Sequence, residues 1–191
     1  MYRILLILSL LYFHLESSSA QNTFLKFKNF TTKNGLSSNY INCIFEDSRG
    51  LKWIGTSAGL VKFDGTRFSI YQNNLGDSLS LTNNMVNCII EDDDNRLWIG
   101  TGKGLSIYNR YTDTFTQHFY EEANAASLSS NVIRDLVISS DSTIWVATDN
   151  GFNKYIAHSK GFKRYIFSNI EEFAYNNDLR SMGARHNILW L

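Results

Sequence analysis

An all-β architecture of repeated small sheets is what this 191-residue sequence predicts, and three observations carry the prediction. The tryptophans stand at Trp53, Trp98, Trp145 and Trp190, separated by 45, 47 and 45 positions, and self-similarity at such a period marks a repeat architecture. Other positions keep the phase: Asn39, Asn84, Asn131 and Asn176 lie fourteen before each Trp, and Gly59, Gly104 and Gly151 lie six after the first three. The composition agrees. It has 20 Asn, 21 Ser and 12 Gly to supply turns, no proline, and 27 aromatics made up of 13 Phe, 10 Tyr and 4 Trp, a mixture suited to many short strands rather than long helices.

The chain opens on a short positive start at Met1 to Arg3, an apolar run from Ile4 to Phe13, and small residues at Ser18 to Ala20. That is the order of a secretory signal, so residues 1–20 are read as a leader and the mature chain as exported. Next, Phe27 to Phe30 is similar to the fourth strand of the later units, and 24–32 is read as a lone outer strand of the kind that completes the last blade of a ring. In the first unit, 36–72, Ile41, Cys43 and Phe45 alternate with Asn42, Ile44 and Glu46 as a half-buried first strand. A turn at Asp47 to Gly50 leads to a second strand around Trp53 to Thr56. A third follows Gly59 at Leu60 to Phe63, and a fourth follows Gly65 at Phe68 to Tyr71. Units 81–119 and 128–166 repeat these slots, and the turn position three before Trp holds Gly50, Asn95, Ser142 and Asn187.

Four short antiparallel strands per unit of about 45 residues make the blade of a β-propeller, in which each sheet buries both faces against its neighbours. The in-phase Trp and Ile/Val then fill the seams between blades. Three full blades and a partial one at 173–191 leave the ring incomplete, since propellers use about four to eight blades. The chain 21–191 is therefore expected to be the front part of a longer protein or the product of an interrupted reading frame.

Several function classes are disfavoured at this level. Eighteen basic residues balance eighteen acidic ones, which gives no footprint for nucleic acid. Two cysteines make no disulfide framework, and no segment has the unbroken apolar length that spans a bilayer. Gly55, Thr56, Ser57, Ala58, Gly59 fits the pattern of a hydrolase nucleophile, but that chemistry needs a strand-to-helix turn, whereas Ser57 falls in a hairpin between strands. The acidic run Glu91 to Asp94 reads as a solvated turn, because Arg96 and Leu97 occupy ligand and glycine slots of a calcium loop. His118, His158 and His186 show no metal-ligand spacing and read as surface or turn residues. Cys43 and Cys88 share one slot on adjacent first strands; pairing in an oxidising compartment is the alternative, and buried free thiols are the preferred reading, because the seam separates the two strands. No catalytic, metal or cofactor site is expected.

The phrase Asp47, Ser48, Arg49, Gly50, Leu51, Lys52, Trp53, Ile54, Gly55, Thr56, then Gly59, Leu60, resembles the two-component regulator propeller repeat. So does Asp92 to Asn95 with Leu97, Trp98, Ile99, Gly100, Thr101, then Gly104 and Leu105. The third unit departs with Ser139, Ser142 and Ala147, and the fourth with Ala184 and His186 in its turn region. The resemblance implies a periplasmic sensor part of a hybrid two-component histidine kinase, with a further propeller, a stalk, a membrane helix and a cytoplasmic kinase beyond this chain. It also implies a small oligosaccharide ligand, and a homodimer is a possible state of the full-length parent.

In a propeller the loops between blades and the hairpins between second and third strands open on one face, where rigid strands carry variable loops. Candidate ligand-binding residues there are Arg134, Tyr120, Asn39, Asn84 and Asn131. Amides and a guanidinium suit sugar hydroxyls, and a ring suits the apolar sugar face. A role for the recurring asparagines in capping turns is the competing reading. A secreted propeller enzyme acting on glycans and an extracellular protein-interaction propeller are the alternative functions.

Overall fold

The computed structural model describes residues 27–166, 181–185 and 188–190. The leader expected at 1–20 and most of the partial unit at 173–191 lie outside the described residues. Three sheets succeed one another along the chain. The first holds β1 (Ile41–Glu46), β2 (Lys52–Thr56), β3 (Gly59–Phe63) and β4 (Phe68–Tyr71). The second holds β5 (Val86–Glu91), β6 (Leu97–Thr101), β7 (Gly104–Asn109) and β8 (Thr114–His118). The third holds β9 (Ile133–Ile138), β10 (Ile144–Thr148), β11 (Gly151–Ile156) and β12 (Gly161–Tyr165). Consecutive strands pair antiparallel in each. A two-stranded sheet of β13 (Gly183–Arg185) and β14 (Ile188–Trp190) comes next. The first strands β1, β5 and β9 lie against one another in turn. They are the inner edges of three propeller blades in an unclosed arc.

Aromatic and aliphatic side chains fill the seams. Trp53 and Trp98 have no solvent exposure. Between the first two blades, Trp53 and Leu60 pack with Val86, Ile89, Leu97 and Ile99. Between the second and third, Trp98 and Leu105 pack with Ile133, Leu136, Ile144 and Val146. Trp145 borders a third cluster of Ala147, Phe152 and Met182. The tight approach explains a small residue in β2 and β6. A Cβ on Gly55 would stand 2.7 Å from Val86 Cγ1 and closer still to Cys43 Sγ; on Gly100 it would stand 2.6 Å from Ile133 Cγ2 and closer to Cys88 Sγ. The third blade has Ala147 at this position and Asp135 in the thiol slot, with the Asp135 carboxylate accepting from the Leu136 and Met182 amides instead.

Each first turn is organised by the residue six before Trp. The Asp47 carboxylate accepts from the Trp53 indole at 2.7 Å and from the Arg49 and Leu51 amides; Asp92 does the same for Trp98, Asp94 and Arg96. Ser139 keeps a longer bond of 3.3 Å from Trp145. The turn demands a left-handed residue, and Gly50, Asn95 and Ser142 have φ of 80°, 59° and 60°. Asn is the non-glycine residue best suited to that region, and Ser142 holds it at a steric cost.

One expectation, the turn placement of Ala184, is corrected; of the outer strand expected at 24–32, residues 24–26 lie outside the described residues. Over Phe27–Thr31 the backbone is not a strand, and Thr32–Asn34 form a 3-10 turn capped by Thr31. An outer strand would need the third strand of a closing blade, and none lies among the described residues. Phe30 instead packs on Phe63 and Phe68, with ring centroids 5.2 and 5.3 Å apart. In the fourth unit, Trp190 faces Gly183, seven residues back, whereas Trp53, Trp98 and Trp145 face Phe45, Ile90 and Val137, eight back. Ala184, expected in the turn, is therefore a strand residue.

Candidate functional site

The inter-blade loops and the hairpins of the second and third strands meet on one face. The Ser57 amide donates to the Tyr40 carbonyl, Gly102 to Met85 and Asp149 to Val132, which ties each hairpin to the loop entering its own blade. The amides of Gly59 and Gly104 donate across the seam to the carbonyls of Asn84 and Asn131, at 2.7 and 2.6 Å.

Each asparagine accepts one backbone amide through its side-chain oxygen. The Oδ1 atoms of Asn39, Asn84 and Asn131 accept the amides of Thr32, Asn73 and Tyr120 at 3.0, 2.7 and 2.7 Å. Each therefore closes the loop that leads into its blade, which is the turn-capping arrangement. The three stand in successive blades, so the structure spaces them along the arc and does not gather them. Asn131 and Tyr120 do meet, through the Tyr120 amide.

Tyr120 is 39% exposed, and the Arg164 guanidinium lies under its ring, 5.0 Å from the centroid. Arg164 also donates to the carbonyls of Glu121, Asn124 and Ser127. The loop that carries Tyr120 is thus held from beneath by one side chain. Gln117 plays the same part in the preceding loop, donating to the carbonyls of Asp77 and Ser80. The two occupy matching registers, Gln117 opposite Ser106 and Arg164 opposite Asn153.

Arg134 is exposed on β9, at a β-bulge where the pairing steps from Ile133–Thr148 to Asp135–Ala147. Asn42 and Asn87 hold the same bulge in β1 and β5. Their amides donate across the seam to the Val86 and Ile133 carbonyls at 2.8 and 2.7 Å. A bulge re-aims its side chain, and here it aims the amide at the free edge of the next inner strand. Arg134 brings a long cation to a position that elsewhere carries a short amide.

Alternation alone did not reveal the bulge, nor the buried hydroxyl pairs beneath the loops. The Oγ atoms of Ser37 and Thr56, Thr82 and Thr101, and Ser129 and Thr148 lie within 2.8, 3.0 and 2.9 Å of each other. Their sequence signal was available: a hydroxyl residue sixteen before each of Trp53, Trp98 and Trp145.

Charge is concentrated on the opposite face, where the turns lie. Arg110 of the second blade donates to Asp47 of the first and to Glu91 at 2.7 and 2.6 Å, with all three side chains nearly buried. Burial pushes the Asp47 carboxyl up, but the Trp53 indole, Arg110 and two amides outweigh it and hold its pKa below the usual value. Asp113 accepts from the hydroxyls of Tyr71 and Tyr108. Burial, then the bond to Asp113, raises Tyr108 to about 12. Cys43 and Cys88 are free thiols, and burial lifts Cys43 to about 11. Contrary to the surface or turn expectation, His118 is a half-buried strand residue against Phe162, and desolvation lowers its pKa.

Comparison with known proteins agrees with this architecture. The family model of the two component regulator propeller matches residues 35–58, 80–103 and 127–150. The chain is 48% identical over 65 residues to the histidine kinase P4 of Formosa agariphila, a match covering 34% of this chain and 5% of the kinase. It is also similar to the solved extracellular domain of a protein assigned to a hybrid two-component system of B. thetaiotaomicron. That likeness has 29% identity and a TM-score of 0.74, over 82% of this chain and 22% of the other. A second such domain from that organism shares the fold at 24% identity and a TM-score of 0.68, over 86% of this chain and 22% of the other. The chain thus spans about a fifth of these solved domains. Among the described residues, no helix is long and apolar enough to cross a membrane.

Proposed function

From a chain that carries two-component regulator propeller repeats, we propose a sensor role: it supplies part of an exported, periplasmic propeller that binds a small oligosaccharide and biases a downstream histidine kinase. The likeness to the extracellular domain of a hybrid two-component system supports this reading most directly, because it extends over 82% of the chain. The loop face supplies a suitable chemistry. Tyr120 offers a ring backed by Arg164, and Arg134 offers donors at the bulge. The role of this face is binding rather than catalysis. Ligand binding can shift the kinase only by favouring one of two arrangements of the propeller and the stalk that joins it to the membrane.

Titration calorimetry of the protein against a panel of oligosaccharides tests the reading. Binding by at least one of them, weakened tenfold or more in Arg134→Ala and Tyr120→Ala, is the expected result. No binding across the panel, or variants that bind as the parent does, would overturn it.

A further inference from the structure

A cleft of about 390 Å³ opens between the second and third blades on the turn face, bordered by Arg49, Ile107, His118, Tyr155 and Lys160 among others. The repeat explains why it is there, because the corresponding place between the first and second blades is filled. In that seam Lys62 lies opposite Trp53 in the β2–β3 register, and its ammonium sits over the rings of Trp53, Tyr71 and Tyr108. It donates to the Tyr71 hydroxyl at 2.6 Å and lies 3.8 Å from Asp113 in the β7–β8 turn.

Three of its five members are changed one seam later. Ile107, opposite Trp98, stands where Lys62 stood. His118, opposite Leu105, replaces Tyr71, opposite Leu60. Lys160 replaces Asp113: each precedes the first residue of its fourth strand, with φ of 52° and 57°. The two rings that close the seam persist, Tyr155 on Trp98 at 4.7 Å in place of Tyr108 on Trp53 at 5.0 Å. The cation that filled the space is gone, and the acid that received it has become a base.

The remaining charges fix what the cleft accepts. Arg96 is paired with Asp92 and Asp94, and Arg110 with Asp47 and Glu91, so these two guanidinium groups are neutralised. Arg49 and Lys160 border the cleft with no ion pair to a carboxylate among the described residues. The volume falls in the range of small-molecule sites, about 300–1,000 Å³. We propose that this cleft binds a small organic anion, with its carboxylate or sulfate on Lys160 and Arg49 and its body against Ile107 and Tyr155. The site lies on the face opposite the inter-blade loops and does not depend on the oligosaccharide reading.

The test restores the filled arrangement. The double variant Ile107→Lys, Lys160→Asp rebuilds the pair found in the first seam, and thermal unfolding checks that it folds. Titrations with glucuronate, benzoate and inorganic sulfate, against methyl glucoside as a neutral control, read the site. At least one of the anions should bind the parent, tenfold or more weaker in the double variant and better than methyl glucoside does. Failure of all three anions to bind, unchanged binding by a folded double variant, or methyl glucoside binding equally well would each overturn the assignment. Arg134→Ala should leave this binding unchanged, which separates the two sites.

Discussion

Asp47 shows how one carboxylate can serve three structures at once: its own turn, the indole of its blade and the guanidinium of the next. Its pKa is held below the unfolded value of about 3.9. A carboxyl depressed by folding stabilises the protein above its unfolded pKa, and that contribution is lost as the pH falls toward the folded value. Asp47→Asn should therefore flatten the loss of stability below about pH 4, measured by denaturant midpoints across an acid series. Equal slopes for the two proteins would show that the network does not couple to folding. The part of Asp47 in the turn was legible from its place in the repeated phrase. Its link to Arg110 was not, because the second blade alone has an Arg at that position, and a departure from a repeat names no partner.

At the level of single elements, the hairpins and the loops beside them fold as joined units. Thr101 is fully buried, donates to the Gly104 carbonyl, accepts the Lys103 amide and meets the Thr82 hydroxyl. Thr101→Val keeps the shape and strands those partners, so it should cost about 1–3 kcal/mol in chemical denaturation. A loss within error would mean that water replaces the hydroxyl. The strands themselves were legible because period-two alternation and in-phase turn residues recur three times, so an error in one unit is corrected by the other two. The bulge at Asn42, Asn87 and Arg134 was not legible, since one extra residue leaves the apolar pattern intact on either side. The candidate site was legible only as a face: the asparagines proved to be committed to loop amides, while Arg164, which supports Tyr120, lies on an outer strand distant in sequence.

Across the whole molecule, identical slots have different surroundings. Ile44, Ile89 and Leu136 are equivalent first-strand positions, with exposures of 68%, 7% and 5%. The first blade presents toward solvent a face that its neighbours bury against one another. Ile89→Ala should cost about 2–5 kcal/mol, as for other buried aliphatic truncations, while Ile44→Ala in this chain should change the denaturation midpoint little. Comparable losses would mean that something covers the first face in solution. The cleft was invisible in the sequence for a related reason, since it arises from three substitutions at separate places in the chain whose effects coincide only in space. The bonds from hairpin glycines to asparagine carbonyls give the arc a direction. The third blade's loop holds the second blade's hairpin, and the second blade's loop holds the first's. A load applied where a later blade begins thus reaches the hairpin of the blade before it, and by reciprocity a load on that hairpin returns to the later blade through the same bond.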